Sequence, residues 1–306
     1  MSRAVIHESF GGPEVLELRD VPEPHAGPGE VRVRVRAAGL NPMDWMLCSS
    51  PEVAAAFSYT LPSGFGCDLA GVIDEVGDGI TDFATGDRVY GGALGRAVAD
   101  HVAVDPAVGP LLHTPDGISD QTASVLPVAG MTATAALNAI SLRAGDTILI
   151  GGAGGGVGVL AVQLATLTGA TVIGTGSEST FDFIKELGAT PVAYGAGLEE
   201  RVRALAPGGV SAATALVGTE TIEVALALGV APERISAIAA GPTPPGGVRA
   251  TGGIDAPPDA LHRITDAIHA GTLTVPIAAT FPIEQIRNAV TLQREGHVHG
   301  KIVITL

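Results

Sequence analysis

The residues of this chain whose types and spacing could do chemistry are concentrated in one glycine-rich loop. The segment 151–158 reads GGAGGGVG and follows the short apolar run Thr147–Ile150. Between a buried strand and a helix, such a loop brings backbone N–H groups up to a phosphate and sets that phosphate at the positive end of the helix. The spacing Ala153-x-Gly155-x-x-Gly158 supplies the tight turn, the close backbone approach and the close helix packing. The chemistry predicted is the binding of a dinucleotide pyrophosphate.

The residues after the loop complete a unit of strand, helix and second strand. Apolar side chains from Leu160 to Leu167 continue as a helix, Gly169 closes it, and Thr171–Gly174 follows as a strand. This context separates the motif from a glycine-rich turn that binds nothing, in a chain that holds 42 glycines. The glycines also divide the uncharged run into pieces too short to be a membrane-spanning helix. The residues predicted to hold the phosphates are Gly152, Ala153, Gly154, Gly155, Gly156, Val157 and Gly158.

The end of the second strand indicates which dinucleotide is preferred. An acidic residue about twenty residues past the loop would hold the ribose 2′-OH of NAD, whereas this strand ends in small neutral residues. That composition favours NADPH over NADH, with Ser177 and either Ser179 or Thr180 as hydroxyl donors to the 2′-phosphate and Tyr194 as a wall. The arginine or lysine that usually binds this phosphate is absent, and Glu178 would repel it, so NADH stays the alternative.

Composition and charge restrict the class of protein. A chain of 306 residues usually forms two domains, and a hydrophobic content of 46% is ample for two cores. The net charge of −15 argues against a nucleic-acid partner and against an anionic membrane surface. The first residues contain no long apolar run, so we expect a cytoplasmic protein. Cys48 and Cys67 are too few for a disulfide framework and are expected as reduced, buried thiols.

Two patterns divide the chain into domains. Residues 1–118 alternate apolar and polar side chains between Gly, Pro and Asp turns, which predicts a β-rich domain. Residues 119–251 alternate helices and strands, which predicts a doubly wound parallel sheet with its ligand crevice beyond the carboxyl ends of the strands. Residues 252–306 end in a strand that can rejoin the first domain. The expected fold class is α/β with two domains, and the substrate is expected in a cleft between them.

Several separated motifs, in order along essentially the whole chain, resemble those of one family. The chain resembles the zinc-free quinone oxidoreductases, the zeta-crystallin-like branch of the medium-chain dehydrogenases and reductases. The resemblance implies a GroES-like partial β-barrel joined to a Rossmann domain, NADPH as the cofactor, a small-molecule electrophile as the substrate and often a homodimer. The motifs are Gly11–Leu16, Gly27–Val31, Ala38–Asp44, Gly86–Val89, Leu126–Ala133 and Gly300–Val303.

The resemblance also implies functional residues. Asn41 and Asp44 of the Asn-Pro-x-Asp motif are the predicted catalytic residues. Asn41 would bond the nicotinamide ribose or the substrate carbonyl, and Asp44 would order the loop; the alternative is that the motif is only a turn and helix cap. The predicted walls of the substrate pocket are Trp45, Tyr59, Phe65 and Met131. The predicted cofactor contacts outside the glycine loop are Thr132, Thr175, Ser177, Tyr194, Val217 and Lys301.

The ligands that hold catalytic zinc in the alcohol dehydrogenase relatives are replaced in this chain. Asn41 stands in place of the first Cys, Cys67 in place of the His, and residues 127–131 contain neither Cys nor His. One soft ligand does not hold zinc, so no metal site is expected. His297 and His299 lack a third ligand and are interpreted as exposed polar residues.

Chemistry without a Lewis acid restricts the acceptor. Hydride must then pass to a carbon that is already electron-poor, which favours quinones and α,β-unsaturated carbonyls over simple alcohols. The sequence therefore predicts an NADPH-dependent reductase of quinones or enones that works chiefly by positioning its reactants. Two alternatives stay open: a zinc-free ketone or enoyl-thioester reductase, and a nucleotide-binding structural or regulatory protein with negligible turnover.

Overall fold

The computed structural model describes residues 1–241, 243–296 and 298–306, which form two compact units. Unit 1 comprises Met1–Val128, Ile277–His297 and Lys301–Leu306, and unit 2 comprises Ala129–Pro276 and Val298–Gly300. Residues 252–276, which the sequence pattern assigned to the first domain, therefore group with unit 2.

Helices and strands of the described residues follow in chain order. The first segment contains β1 (Ser2–His7), β2 (Glu17–Val21), β3 (Val31–Leu40), α1 (Pro42–Ser49), α2 (Pro51–Ala56), β4 (Ser63–Gly64), β5 (Asp68–Val76), β6 (Arg88–Gly92), β7 (His101–Val104), β8 (Leu111–His113) and α3 (Asp120–Ala123). The middle segment contains α4 (Pro127–Ala139), β9 (Thr147–Gly151), α5 (Gly158–Leu167), β10 (Thr171–Gly176), α6 (Phe181–Glu186), β11 (Thr190–Ala193), α7 (Leu198–Leu205), β12 (Ala212–Ala215), α8 (Glu220–Ala227), β13 (Ile235–Ala237), β14 (Arg249–Ala250) and α9 (Ala260–His269). The last segment contains β15 (Ile277–Pro282), α10 (Ile286–Glu295) and β16 (Lys301–Thr305). Short 3₁₀ helices lie at Pro13–Val15, Glu178–Thr180, Pro232–Arg234, Pro245–Gly247, Gly253–Asp255 and Ile283–Gln285.

Unit 1 is built on antiparallel pairing around the long strand β3. Its alternating Val and Arg side chains put Val31, Val33 and Val35 in the core, while Arg32 points outward to ion pairs with Asp74 and other acidic residues. Among the described residues, β3 lies in a sheet with the order β15, β16, β3, β5, β6, β8, and β7 also pairs with β3. A smaller sheet has the order β2, β1, β4.

The last strand, β16, pairs with β3, and this pairing determines which residues lie beside the end of β3. Strand β16 runs antiparallel to β3, with Ile302 opposite Leu40 and Val303 opposite Gly39. Gly39 has no space for a side chain, because a Cβ there would collide with the backbone of Ser124. The register places Lys301 next to Asn41, the residue that follows β3.

Unit 2 contains the predicted parallel sheet. Over the described residues its strands pair in the order β11, β10, β9, β12, β13, β14, and every neighbouring pair is parallel. Parallel strands present their carboxyl ends at one edge, and β9 and β10 lie in the middle of the sheet with fully or almost fully buried side chains such as Leu149 and Ile173. The expected α/β class with a doubly wound sheet is confirmed.

Helix α9 explains why residues 252–276 belong to unit 2. Its apolar face packs closely against α4. A Cβ added to Gly130 of α4 would lie only 2.7 Å from Cδ1 of Ile264 in α9. The Gln163 side chain of α5 then accepts from the backbone N–H of Thr274 at 2.8 Å and donates to its carbonyl oxygen at 2.8 Å. Within the described ranges, none of the helices combines the length and the apolarity needed to cross a membrane.

Candidate functional site

The glycine loop of unit 2 has the close packing that its sequence predicts. Gly152 adopts a positive φ of 76°, and its N–H donates to Thr175 Oγ1 at 3.0 Å. A Cβ on Gly158 would collide with the carbonyl oxygens of Gly152 and Ala153, so helix α5 can start here only with glycine. Thr175, predicted as a cofactor contact, is buried and holds the loop in place.

Helix α5 starts without a side-chain cap, which leaves donors for a ligand. Its N-cap is Val157, and neither that residue nor the loop offers a capping oxygen. Across the part of the chain that the structure describes, the N–H groups of Gly154, Gly156 and Val157 have no hydrogen-bond partner, whereas Gly155 N–H donates to Gly152 O at 3.1 Å. Unpaired N–H groups at a helix N-terminus favour an anion such as a pyrophosphate.

Four predicted cofactor contacts lie at the carboxyl edge of the sheet. Gly152, Ser177, Tyr194 and Val217 follow the adjacent strands β9, β10, β11 and β12. Val217 is 63% exposed and Tyr194 is 54% exposed, although both are large apolar side chains. A Cβ on Gly152 would lie 3.1 Å from Val217 Cγ1, so this exposed side chain borders the glycine loop. Exposed apolar side chains beside an anion site are the expected walls for a nucleotide base.

The backbone around Tyr194 is held by two residues that the sequence pattern did not identify. The Arg201 guanidinium donates to the carbonyl oxygens of Ala193, Tyr194, Gly195 and Ala196 at 2.8 to 3.3 Å. Gly195 N–H donates to Glu220 Oε1 at 2.7 Å. No local sequence signal predicts these contacts, because the arginine binds carbonyl oxygens that any residue could supply.

Replacement of Arg201 by glutamine is expected to weaken NADPH binding by roughly tenfold, because the Tyr194 loop loses the donors that hold it before the ligand arrives. Quenching of protein fluorescence on NADPH titration measures the dissociation constant. The matched control is Arg203→Gln on the same helix, where the arginine is exposed and pairs with Glu199 at 2.6 Å. Equal affinities of the two variants would contradict the role given to Arg201.

Residues 174–177, at the end of β10, are small and neutral, as the sequence predicts. Ser177 Oγ and Ser179 Oγ lie 2.9 Å apart after β10, with Glu178 exposed between them. The nearby cation Lys185 pairs with Asp182 at 2.9 Å. The hydroxyl pair is therefore the polar group that this strand end offers to a ribose or its phosphate.

Three further residues of unit 2 were predicted or noted from the sequence. Met131 and Thr132 lie on α4, where a Cβ on Gly253 would stand 3.4 Å from Met131 Cβ and from Thr132 Oγ1. His299 stacks on Phe183 with ring centroids 5.5 Å apart, beside the glycine loop, whose Gly154 carbonyl accepts from Gly300 N–H at 3.1 Å. His297, the other histidine considered as a metal ligand, lies outside the described residues.

The two predicted catalytic residues lie in unit 1, in a buried polar cluster. Asn41 Nδ2 donates to Asp68 Oδ2 at 2.9 Å, and Lys301 Nζ donates to Asn41 Oδ1 at 2.6 Å and to Leu40 O at 3.0 Å. Asp44 Oδ2 accepts from the Asn41 N–H at 2.7 Å at the start of α1, which is the helix-cap arrangement that the sequence left as an alternative. Asn41, Asp44, Asp68 and Lys301 are each at most 3% exposed.

Burial governs the ionisation of this cluster. Removal from water raises the pKa of Asp68 to about 7 and that of Asp44 to about 6, although Lys301 and the Asn41 donors favour their ionised forms. Burial likewise lowers the pKa of Lys301, against the attraction of the two carboxylates. Burial and the neighbouring Asp44 raise the pKa of the Cys67 thiol well above its ordinary value. Two acids and one base thus lie together, almost completely removed from solvent.

Asp68 is expected to make folding less favourable as the pH rises. The unfolded carboxyl ionises near 3.8 and the folded one near 7, so between these values only the folded state holds the proton. When the pH is raised from 5 to 8, the free energy of unfolding of the wild type should decrease by about 2–3 kcal/mol more than that of the Asp68→Asn variant. Urea unfolding of both proteins at the two pH values measures this difference. The exposed Asp182→Asn variant should follow the wild type, and an Asp68→Asn profile parallel to it would refute the assignment.

The aromatic residues predicted as pocket walls lie in the same unit. Phe65 is fully buried, and Tyr59 is 9% exposed, with its hydroxyl donating to Gly64 O at 2.6 Å and lying 2.6 Å from His7 Nε2. Trp45 is half-buried, the Arg294 guanidinium lies 5.4 Å from its ring centroid, and its Nε1 has no partner among the residues described. Trp45 is thus the one of the three with exposed ring surface, although its Nε1 is buried, while Tyr59 and Phe65 pack inside unit 1.

The residues at the positions that hold zinc in the alcohol dehydrogenase relatives do not suit a metal. Asn41 is hydrogen-bonded to the Lys301 ammonium and the Asp68 carboxylate. The Cys67 thiol lies against Asp44. A lysine ammonium inside the cluster would repel a divalent cation. The described ranges contain no group of three His, Cys, Asp or Glu side chains that could hold a metal ion. Both cysteines are free and buried, as expected.

Comparisons with known proteins agree with the fold of the two units. The family description "Alcohol dehydrogenase GroES-like domain" matches residues 27–107, and "Zinc-binding dehydrogenase" matches residues 180–304. The quinone oxidoreductase of Pseudomonas aeruginosa is 42% identical over 181 residues, which are 58% of this chain and 54% of that protein. The spectinabilin polyketide synthase system protein NorB of Streptomyces orinoci is 42% identical over 187 residues, 58% of this chain and 8% of that protein. The chain therefore spans about half the length, or less, of these curated relatives.

Solved structures match over the whole chain. The quinone oxidoreductase from Coxiella burnetii has a TM-score of 0.87 and 30% identity, covering 100% of this chain and 99% of its own. A mycobacterial structure complexed with NADPH has a TM-score of 0.86 and 26% identity, covering 100% of both chains. A GroES-like region and a parallel nucleotide-binding sheet define a medium-chain dehydrogenase/reductase. Within that superfamily the chain belongs to the quinone oxidoreductases, a family of NAD(P)-dependent oxidoreductases, which confirms the resemblance seen in the sequence.

Proposed function

We propose that the protein is an NADPH-dependent oxidoreductase that transfers hydride to a quinone or an α,β-unsaturated carbonyl without zinc. The observation that carries the proposal is the glycine loop, whose unpaired N–H groups stand at the N-terminus of α5 and at the carboxyl edge of the parallel sheet. The family of the chain and the 42% identity to a quinone oxidoreductase support the reaction class.

The preference for NADPH rests on the end of β10. An acid that would bind the ribose 2′-OH is missing from this strand end, and the Ser177 and Ser179 hydroxyls take its place. These hydroxyl groups can donate to a 2′-phosphate, whereas Glu178 between them would repel it, so the titration with both nucleotides decides the preference. The similarity to a mycobacterial structure complexed with NADPH supports the same choice.

The residues of this chain have distinct tasks in the proposed reaction. A bound nicotinamide would supply the hydride. The loop from Gly152 to Gly158 holds the pyrophosphate, and Tyr194 and Val217 enclose the base. Asn41 offers the acceptor or the ribose a hydrogen-bond donor, and Trp45 contributes apolar surface. Because an electron-poor acceptor needs no Lewis acid, correct placement supplies most of the rate.

Titration of the purified protein with NADPH and NADH, followed by nicotinamide fluorescence, tests the first half of the proposal. Addition of 1,4-benzoquinone or a simple alkenal to the NADPH complex tests the second half. Binding of NADPH with oxidation by either acceptor is expected, and the ratio of the two rates chooses between quinone and enone. Failure of both nucleotides to bind would refute the proposal. Binding without turnover would favour a structural or regulatory role instead.

A second candidate is an enoyl-thioester reductase. The similarity to a polyketide synthase system protein favours it, since polyketide intermediates are carried as thioesters. A crotonyl thioester in the same assay distinguishes the candidates, because a rate above that of benzoquinone would assign the thioester as the preferred acceptor.

The proposal includes a homodimer, which light scattering would measure directly.

A further inference from the structure

The buried cluster of unit 1 fixes the orientation of the Asn41 amide. The carbonyl oxygen Oδ1 faces the Lys301 ammonium at 2.6 Å, and the amide nitrogen Nδ2 faces the Asp68 carboxylate at 2.9 Å. A 180° flip of the amide would set two donors against each other at Lys301 and two acceptors against each other at Asp68. The charges on either side therefore permit one orientation, although an amide by itself would permit two.

The partners of Asn41 are themselves held in place. Asp68 accepts from Val128 N–H at 3.1 Å and 3.2 Å, so its hydrogen bonds to the described residues all come from donors. Lys301 is tied by the pairing of β16 with β3 and by its bond to Leu40 O at 3.0 Å. Asn41 N–H donates to Asp44 Oδ2, which fixes the backbone on the other side. A side chain held on all sides loses little freedom when a ligand binds it.

We propose that Lys301 and Asp68 are positioning residues that hold Asn41 so that its second Nδ2–H is presented to the oxygen of the hydride acceptor or of the nicotinamide ribose. One N–H of the amide is used by Asp68, which leaves the other as the donor of the side chain. This inference rests on the proposed reductase function. It also gives Lys301 a role different from the direct cofactor contact expected from the sequence, since its ammonium is buried against Asn41 and Leu40.

An exchange of the two groups tests the inference. Asn41→Asp alone sets two carboxyl groups against each other. Asp68→Asn alone replaces one acceptor oxygen by an NH2 group, which then faces a donor, either Val128 N–H or Asn41 Nδ2. Each single variant should lower the melting temperature by roughly 5 °C or more. In the double variant Asn41→Asp with Asp68→Asn, the new carboxylate accepts from Lys301 and from the new amide, so complementary pairing returns. The chemical control for Asn41→Asp is Asn138→Asp, because Asn138 is exposed on α4.

The double variant separates the positioning role from a merely structural one. We expect it to regain most of the wild-type melting temperature and the wild-type affinity for NADPH, while kcat stays lowered by roughly tenfold or more because residue 41 then has no side-chain N–H. A kcat that returns together with stability would overturn the inference, since the cluster would then serve only the fold. A melting temperature that does not return would overturn the assigned amide orientation. A wild-type protein that turns over none of the acceptors would refute the proposed function and this inference together.

Discussion

Replacement of Gly158 by alanine is expected to lower the affinity for NADPH by roughly 100-fold and to lower the melting temperature as well. The added Cβ would collide with the carbonyl oxygens of Gly152 and Ala153, which are backbone atoms that a side-chain rotation cannot move. The loop and the start of α5 must then separate, and a displacement of about 1 Å in such a site can cost a factor of 100. Fluorescence titration with NADPH and a thermal melt measure the two effects.

The matched control for this change is Gly208→Ala. Gly208 is exposed, lies outside the loop, and a Cβ there would meet no atom within 4 Å. The control should bind NADPH as the wild type does. Wild-type affinity of the Gly158→Ala protein would show that the phosphate lies elsewhere, and the proposed cofactor site would be wrong.

Replacement of Lys301 by methionine is expected to lower the free energy of unfolding by roughly 3–5 kcal/mol. Lys301 is the cation of a buried cluster that also contains Asp44 and Asp68, and methionine keeps much of its length but not its charge. The two carboxylates would remain buried without a counter-charge, and Asn41 Oδ1 would lose its donor. Equilibrium unfolding in urea measures the change.

Lys185→Met serves as the control for the loss of charge. Lys185 is an exposed lysine whose pair with Asp182 lies on the surface of α6, so its removal should leave stability nearly unchanged. Similar small effects in both variants would mean that the buried carboxylates take up protons at little cost when the lysine is gone. The interpretation of Lys301 as their necessary counter-charge would then fail.

The sequence predicted most of unit 2 because its signals are local. The helix predicted to run to Leu167 ends at that residue, and the strand at Thr147 ends one residue later than predicted. Both elements have a clear apolar period and end at a glycine or a turn. The prediction differed from the structure for residues 252–276, because membership of a unit depends on packing partners such as Gly130 and Ile264 that are distant in sequence.

The candidate site shows the same division between local and distant information. The glycine loop follows from eight consecutive residues, because a helix start that packs against carbonyl oxygens tolerates no Cβ. The neutral end of β10 also follows from the sequence by itself. The contacts of Arg201 with the Tyr194 loop become visible only in the folded protein, since their acceptors are backbone carbonyl oxygens. Likewise, only the register of β16 on β3 brings Lys301 to Asn41, 260 residues earlier in the chain. Strand register is set by side-chain packing over the whole sheet, so no short motif can specify which polar groups it brings together.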